Sequence, residues 1–103
     1  MNSNKEFSRI YSKPTHCWHT EWFVLFYKES QLKKSAFVAS KKVGKAVARN
    51  RAKRVLRAHF IERADRLQKG QYIFVAKQAI LESDYKVLSK RLNSIFKRLK
   101  LYV

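Results

Sequence analysis

The chain has little of what makes a protein loose or cross-linked. Of its 103 residues two are glycine and one is proline, which excludes a long flexible or polyproline linker. One cysteine, Cys17, excludes an internal disulfide and suits a reducing compartment, so a cytoplasmic location is expected. No apolar run nears the roughly 18 residues of a membrane span. Residues 1–10 are polar and include Glu6, unlike a secretory signal. Acid is scarcest of all relative to its counterpart. Seven Asp and Glu stand against 24 Lys and Arg, a formal charge of +17. Between Glu29 and Glu62 there is no acid, while Lys33, Lys34, Lys41, Lys42, Lys45, Arg49, Arg51, Lys53, Arg54 and Arg57 all lie there.

These shortages also exclude chemistries. So few carboxylates leave little for a two-metal protein nuclease. No Ser/His/Asp set, P-loop or dinucleotide fingerprint is present, so no catalytic residue is expected. His16-Cys17-Trp18-His19 lacks a second Cys/His pair at zinc-finger spacing, and no metal ligand is expected. His59 falls among apolar residues and reads as a core histidine with its hydrogen bonds satisfied. Glu82 and Asp84 flank a helix start, where capping accounts for them.

What is present is enough apolar material, 46% of residues, for one core, and 1–103 reads as a single domain. Phe7, Ile10 and Tyr11 at i, i+3, i+4 predict a short helix over 4–12, broken by Pro14. Alternation predicts a strand over 21–28 with two apolar faces, hence a central one, and a second strand over 35–40. The polar segment 28–34 between them suits a hairpin. A long helix is expected over 44–67, a strand over 71–77, and a last helix over 84–100 with Ser83 as its N-cap. A short extra strand is expected near 15–18. The fold class is α+β: helices packed on a mainly antiparallel sheet of about four strands, in the order α-β-β-β-α-β-α.

The long helix carries the functional signal. Ala48, Ala52, Val55, Leu56, His59, Phe60 and Leu67 gather on one arc, while Asn50, Lys53, Arg54 and Arg57 form an opposite stripe that Arg51 extends. Arg49 projects nearer the apolar arc, where a long side chain can snorkel outward. Exposed helix faces usually mix charge signs to gain i,i+4 pairs, and this one does not. Cations repeating at about 5.4 Å per turn suit successive phosphates, and Asn50 can read a 2′-hydroxyl or a base edge. The partner expected is therefore RNA rather than a membrane surface.

The run from Ser40 through Lys41, Lys42, Val43, Gly44 and Lys45 to Arg57 closely resembles the signature of the bacterial ribonuclease P protein component. The likeness rests on the Ser-Lys-Lys lead-in, the Gly-Lys-Ala-Val turn and the Arg-Asn-Arg-Ala-Lys-Arg helix. It is strong over about 37–60 and weaker from Glu6 to Leu99. Ala36 stands where the family usually has glycine. The resemblance implies a sandwich with a left-handed β-α-β crossover, against the usual handedness. It implies a subunit that binds the catalytic RNA and the 5′ leader of precursor tRNA, and is monomeric in the complex. Magnesium is then needed by the RNA-containing holoenzyme and no cofactor is bound by the protein alone. Carried over, the RNA-binding positions are Lys41, Lys42, Lys45, Arg49, Asn50, Arg51, Lys53, Arg54 and Arg57. The leader-binding positions are Phe7, Tyr11 and Phe26. A structural RNA-binding protein of ribosomal type is the alternative.

Overall fold

The computed structural model describes residues 16–103. The helix expected over 4–12, with Phe7 and Tyr11, lies outside the described residues. Four strands, β1 (His16–His19), β2 (Phe23–Lys28), β3 (Lys34–Ala39) and β4 (Gln71–Ala76), form one sheet in the order β1-β2-β4-β3. Helix α1 (Ala46–Arg63) joins β3 to β4, and α2 (Tyr85–Arg98) follows β4. Short 3-10 turns occupy Ala64–Arg66 and Gln78–Glu82.

The expected hairpin between the second and third of these strands does not form. β2 pairs antiparallel with β1 and β4, and β3 pairs parallel with β4. The physical reason lies in β4, whose Tyr72, Ile73 and Phe74 are all buried. A β2–β3 hairpin would push this strongly buried strand toward an edge. Instead β3, which opens on exposed Lys34 and Ser35, takes the edge, where polar residues are tolerated. The sheet is thus mixed: two pairings are antiparallel and one is parallel.

Both helices cover one face of the sheet. Phe23, Leu25, Tyr27, Tyr72 and Phe74 meet Leu56 and Phe60 of α1 and Leu88, Leu92, Ile95 and Phe96 of α2 in one core. Each such side chain stabilises by about 1.5–3 kcal/mol when fully buried, which is what offsets the self-repulsion of a +17 chain. Val24 and Phe26 project from the other face of β2, and Val24 is buried there. Both faces of this strand are apolar and it sits between two neighbours, as its sequence predicts.

Two helix boundaries differ from expectation. α1 stops at Arg63 because the chain must turn to bury Leu67, whose neighbourhood pairs with the C-terminal residues: Gln68 N–H donates to Leu101 C=O at 2.8 Å and Val103 N–H to Arg66 C=O at 2.8 Å. At α2 the N-cap is Asp84, not Ser83. Asp84 Oδ1 accepts from Lys86 N–H at 2.9 Å, while the Ser83 hydroxyl donates back to Ile80 C=O at 2.7 Å.

Candidate nucleic-acid interface

The turn that feeds α1 is built by short-range bonds around one buried side chain. Val43 N–H donates to Ser40 C=O at 3.0 Å and Gly44 N–H to Lys41 C=O at 3.2 Å. Val43 is buried and pins the turn to the core, so Lys41, Lys42 and Lys45 are left exposed around it. Gly44 has φ +147°, and a Cβ there would lie 3.0 Å from Ala48 Cβ. Glycine is required where the left-handed backbone and the close approach coincide.

α1 then begins without a side-chain cap and without an acid in its first turn. Its free N–H groups already carry the positive end of the helix dipole. Three lysines crowd that end, an arrangement unfavourable by itself and relieved by an anion.

Along α1 the buried residues are Ala52, Leu56, His59, Phe60 and Arg63. Opposite them, Asn50, Arg51, Arg54 and Arg57 are exposed and Lys53 is half-buried. Val47, Asn50, Lys53, Arg54 and Arg57 line one shallow groove of about 550 Å³. The Arg57 guanidinium stands 5.5 Å from the ring centroid of Phe37 on β3, a cation–π contact that holds it toward the strand edge. Four of the expected RNA-binding residues thus share one groove, and the turn lysines form a second exposed group at the helix start.

Arg49 departs from the rest. It is half-buried, and its Nε is buried without a hydrogen-bond partner among the described residues. The snorkelling expected of it is incomplete because its place on the helix lies within the buried arc.

Phe26 stands on the sheet face turned away from α1 and α2, half-buried, opposite Cys17 on β1 and Ile73 on β4. Phe26, the one expected leader-binding position among the described residues, is therefore across the sheet from the α1 stripe.

His16-Cys17-Trp18-His19 splits across the two faces of β1, as strand alternation requires. His16 stacks on Tyr27 at 5.8 Å between centroids, while Cys17 and His19 are exposed with Cys17 Sγ 3.6 Å from His19 Nε2. Among the described residues no group of three or more His, Cys, Asp and Glu could hold a metal ion, and no helix is long and apolar enough to cross a membrane.

A feature missed in the sequence is the junction of the two helices. Arg63, 2% exposed, donates through Nε to Asn93 Oδ1 at 2.8 Å, through Nη1 to His59 C=O at 2.8 Å, and through Nη2 to the Ser89 hydroxyl. The Glu62 carboxylate is 3.7 Å away. His59 beside it is fully buried and stacks on Tyr85 at 4.2 Å. It is not the satisfied core histidine expected: neither ring nitrogen has a hydrogen-bond partner among the described residues. Burial first, and the Arg63 charge second, push its pKa down, with Glu62 opposing.

The sequence signature of the Ribonuclease P family matches residues 1–100. The ribonuclease P protein component of a Nitratiruptor species is 45% identical over 100 residues, covering 97% of this chain and 91% of the relative. The structure of the Staphylococcus aureus RNase P protein superposes with a TM-score of 0.82 at 25% identity, covering 100% of this chain and 96% of that one. The Thermotoga maritima RNase P protein, solved with 1-(4-fluorophenyl)-2-thiourea, shares the fold with a TM-score of 0.77 at 23% identity over 95% of this chain and 97% of that one. A ribosomal-type structural protein is not favoured beside these likenesses. On the family match and this degree of identity over nearly its full length, the chain belongs to the ribonuclease P protein component family.

Proposed function

We propose that α1 docks this subunit on the catalytic RNA of ribonuclease P through Asn50, Arg51, Lys53, Arg54 and Arg57, with Lys41, Lys42 and Lys45 engaging phosphates at the helix start. The observation that carries this is the groove in which Asn50, Lys53, Arg54 and Arg57 come together on a helix without an acid in its first turn. Arg49 joins them from the flank.

The protein component serves the maturation of the 5′ end of tRNA. In our reading the RNA carries the hydrolysis, which removes the 5′ leader and leaves a 5′-phosphate on the tRNA. Magnesium is held by the RNA, and no residue of this chain is assigned to it. The protein supplies positive field that offsets repulsion between the two RNAs. Phe26, together with Phe7 and Tyr11, takes the unpaired leader on the sheet face away from α1, where a stacked base is worth about 1–3 kcal/mol. This division lets one chain hold catalytic RNA on one side and substrate on the other. We further read the subunit as monomeric in the complex, cytoplasmic, and left-handed in its β3–α1–β4 crossover. The adjacent parallel pairing of β3 and β4 through α1 is the unit such a crossover needs.

Reconstitution tests the proposal. Precursor tRNA is incubated with the protein, with and without the catalytic RNA. Cleavage requires the RNA, and Phe26→Ala slows cleavage of leader-bearing substrate while leaving binding of mature tRNA unchanged. Cleavage by nuclease-treated protein alone, or equal losses for both RNAs, contradicts it.

A further inference from the structure

The chain has a second stretch without acid. After Asp84 it carries Lys86, Lys90, Arg91, Lys97, Arg98 and Lys100 and no Asp or Glu. On α2, Leu88, Leu92, Ile95 and Phe96 are buried. At 100° per residue the cations from Lys86 to Arg98 gather on a separate arc of about 140°. Ser89 and Asn93, which meet Arg63 of α1, lie on one flank of that helix. On the other flank is a groove of about 370 Å³ lined by Glu21, Trp22, Val87, Lys90, Arg91 and Ser94. Farther along, the Arg98 guanidinium stands 5.7 Å from the Trp18 ring centroid. Both tryptophans of the chain therefore flank α2. Lys90 and Arg91 are exposed, with no hydrogen bond or ion pair among the described residues.

We propose that this groove is a further RNA-binding site, separate from both the α1 stripe and the Phe26 face, that takes an unpaired nucleotide. Its base lies on the Trp22 indole and Val87, and its flanking phosphates lie on Lys90 and Arg91. Lys86 and Lys90, one turn apart, repel on the helix face, and a polyanion relieves them. Aromatic faces beside cations suit single strands because every base has a π-face to stack. Glu21 fixes the orientation. Its carboxylate repels phosphate but accepts from a base amino group or a 2′-hydroxyl, so the base occupies its end of the groove. An anionic membrane fits less well, since a carboxylate beside the groove's aromatic side has no role there.

The tryptophans make the test direct, because α1 contains none. The full chain carrying Arg54→Ala, Arg57→Ala and Phe26→Ala, which disables both surfaces proposed above, is titrated with an unstructured RNA of about 12 nucleotides, within the usual range of single-strand sites. Tryptophan emission should be quenched saturably. Adding Lys90→Ala and Arg91→Ala should make the log–log salt slope shallower by about 1.4, for two single-strand phosphate contacts. Both side chains are exposed, and an unchanged far-UV circular dichroism spectrum shows that the fold is retained. In a Trp22→Phe chain binding should persist while most of the quenching disappears. An unchanged slope, quenching carried by Trp18 alone, or a response to phosphatidylglycerol vesicles but not to RNA would each overturn the proposal.

Discussion

His59 and Gly70 show how single positions constrain this molecule. His59 is fully buried, with both ring nitrogens lacking a protein partner among the described residues. Its folded pKa is lowered from the ordinary 6.5, chiefly by burial. The unfolded chain therefore binds the proton more readily as pH falls below about 6.5, and stability must drop there. Urea unfolding at pH 7.5 and pH 5.5 should show lower stability at the acid end. His59→Phe, which keeps a ring against Tyr85, should reduce that difference; an unaltered pH dependence would remove His59 as its source. Gly70 has φ +151°, and a Cβ there would lie 2.3 Å from Tyr27 Cε1. The Tyr27 ring is held by its own hydroxyl, which donates to Lys69 C=O at 2.7 Å and accepts from Gln68 Nε2 at 3.0 Å. Neither the backbone nor the ring can yield, so Gly70→Ala should cost about 3 kcal/mol in urea unfolding through strain and overpacking.

At the level of elements, the two helices are locked by one buried cation. Arg63→Ala leaves Asn93 Oδ1, the Ser89 hydroxyl and His59 C=O without their charged donor. Losing charge-assisted bonds in a buried site should destabilise by about 3 kcal/mol, measured by the same unfolding experiment. A loss below about 1 kcal/mol would mean that the helices hold together without it. Arg63 also marks where sequence reading stopped. As an arginine near the end of a basic helix it looks like one more surface charge, and only the approach of Ser89 and Asn93 from α2 gives it partners. The elements themselves were legible because their apolar periods are clean: Phe23, Leu25 and Tyr27 alternate, and Leu88, Leu92, Ile95 and Phe96 recur at helical spacing. Strand order was not, because the polar segment 28–34 fits a hairpin locally. What decides against the hairpin is the demand of Tyr72–Phe74 for neighbours on both edges, a property of the whole sheet. The stripe was legible for the opposite reason. Among the described residues, exposed Arg51, Arg54 and Arg57 have no hydrogen bond or ion pair, and their one ring contact is Arg57 over Phe37, so helical spacing alone places them. Helical spacing also sets Arg49 nearer the buried arc; what it does not give is how far that side chain escapes, and its Nε stays buried.

At the scale of the molecule, a charge of +17 on 103 residues is spread over surfaces that face different ways, with the proposed RNA-docking stripe on α1 and the Phe26 face across the sheet. Such a distribution makes association strongly dependent on ionic strength. The most direct test of the central claim is the salt dependence of affinity for the catalytic RNA, measured for the unaltered chain and for Arg54→Ala/Arg57→Ala. If about five to eight phosphates are engaged, the log–log slope should be on the order of −4 to −7, and the double substitution should make it shallower by about 2. Identical slopes for the two chains would contradict the account, because α1 would then display its guanidinium groups to solvent and not to RNA.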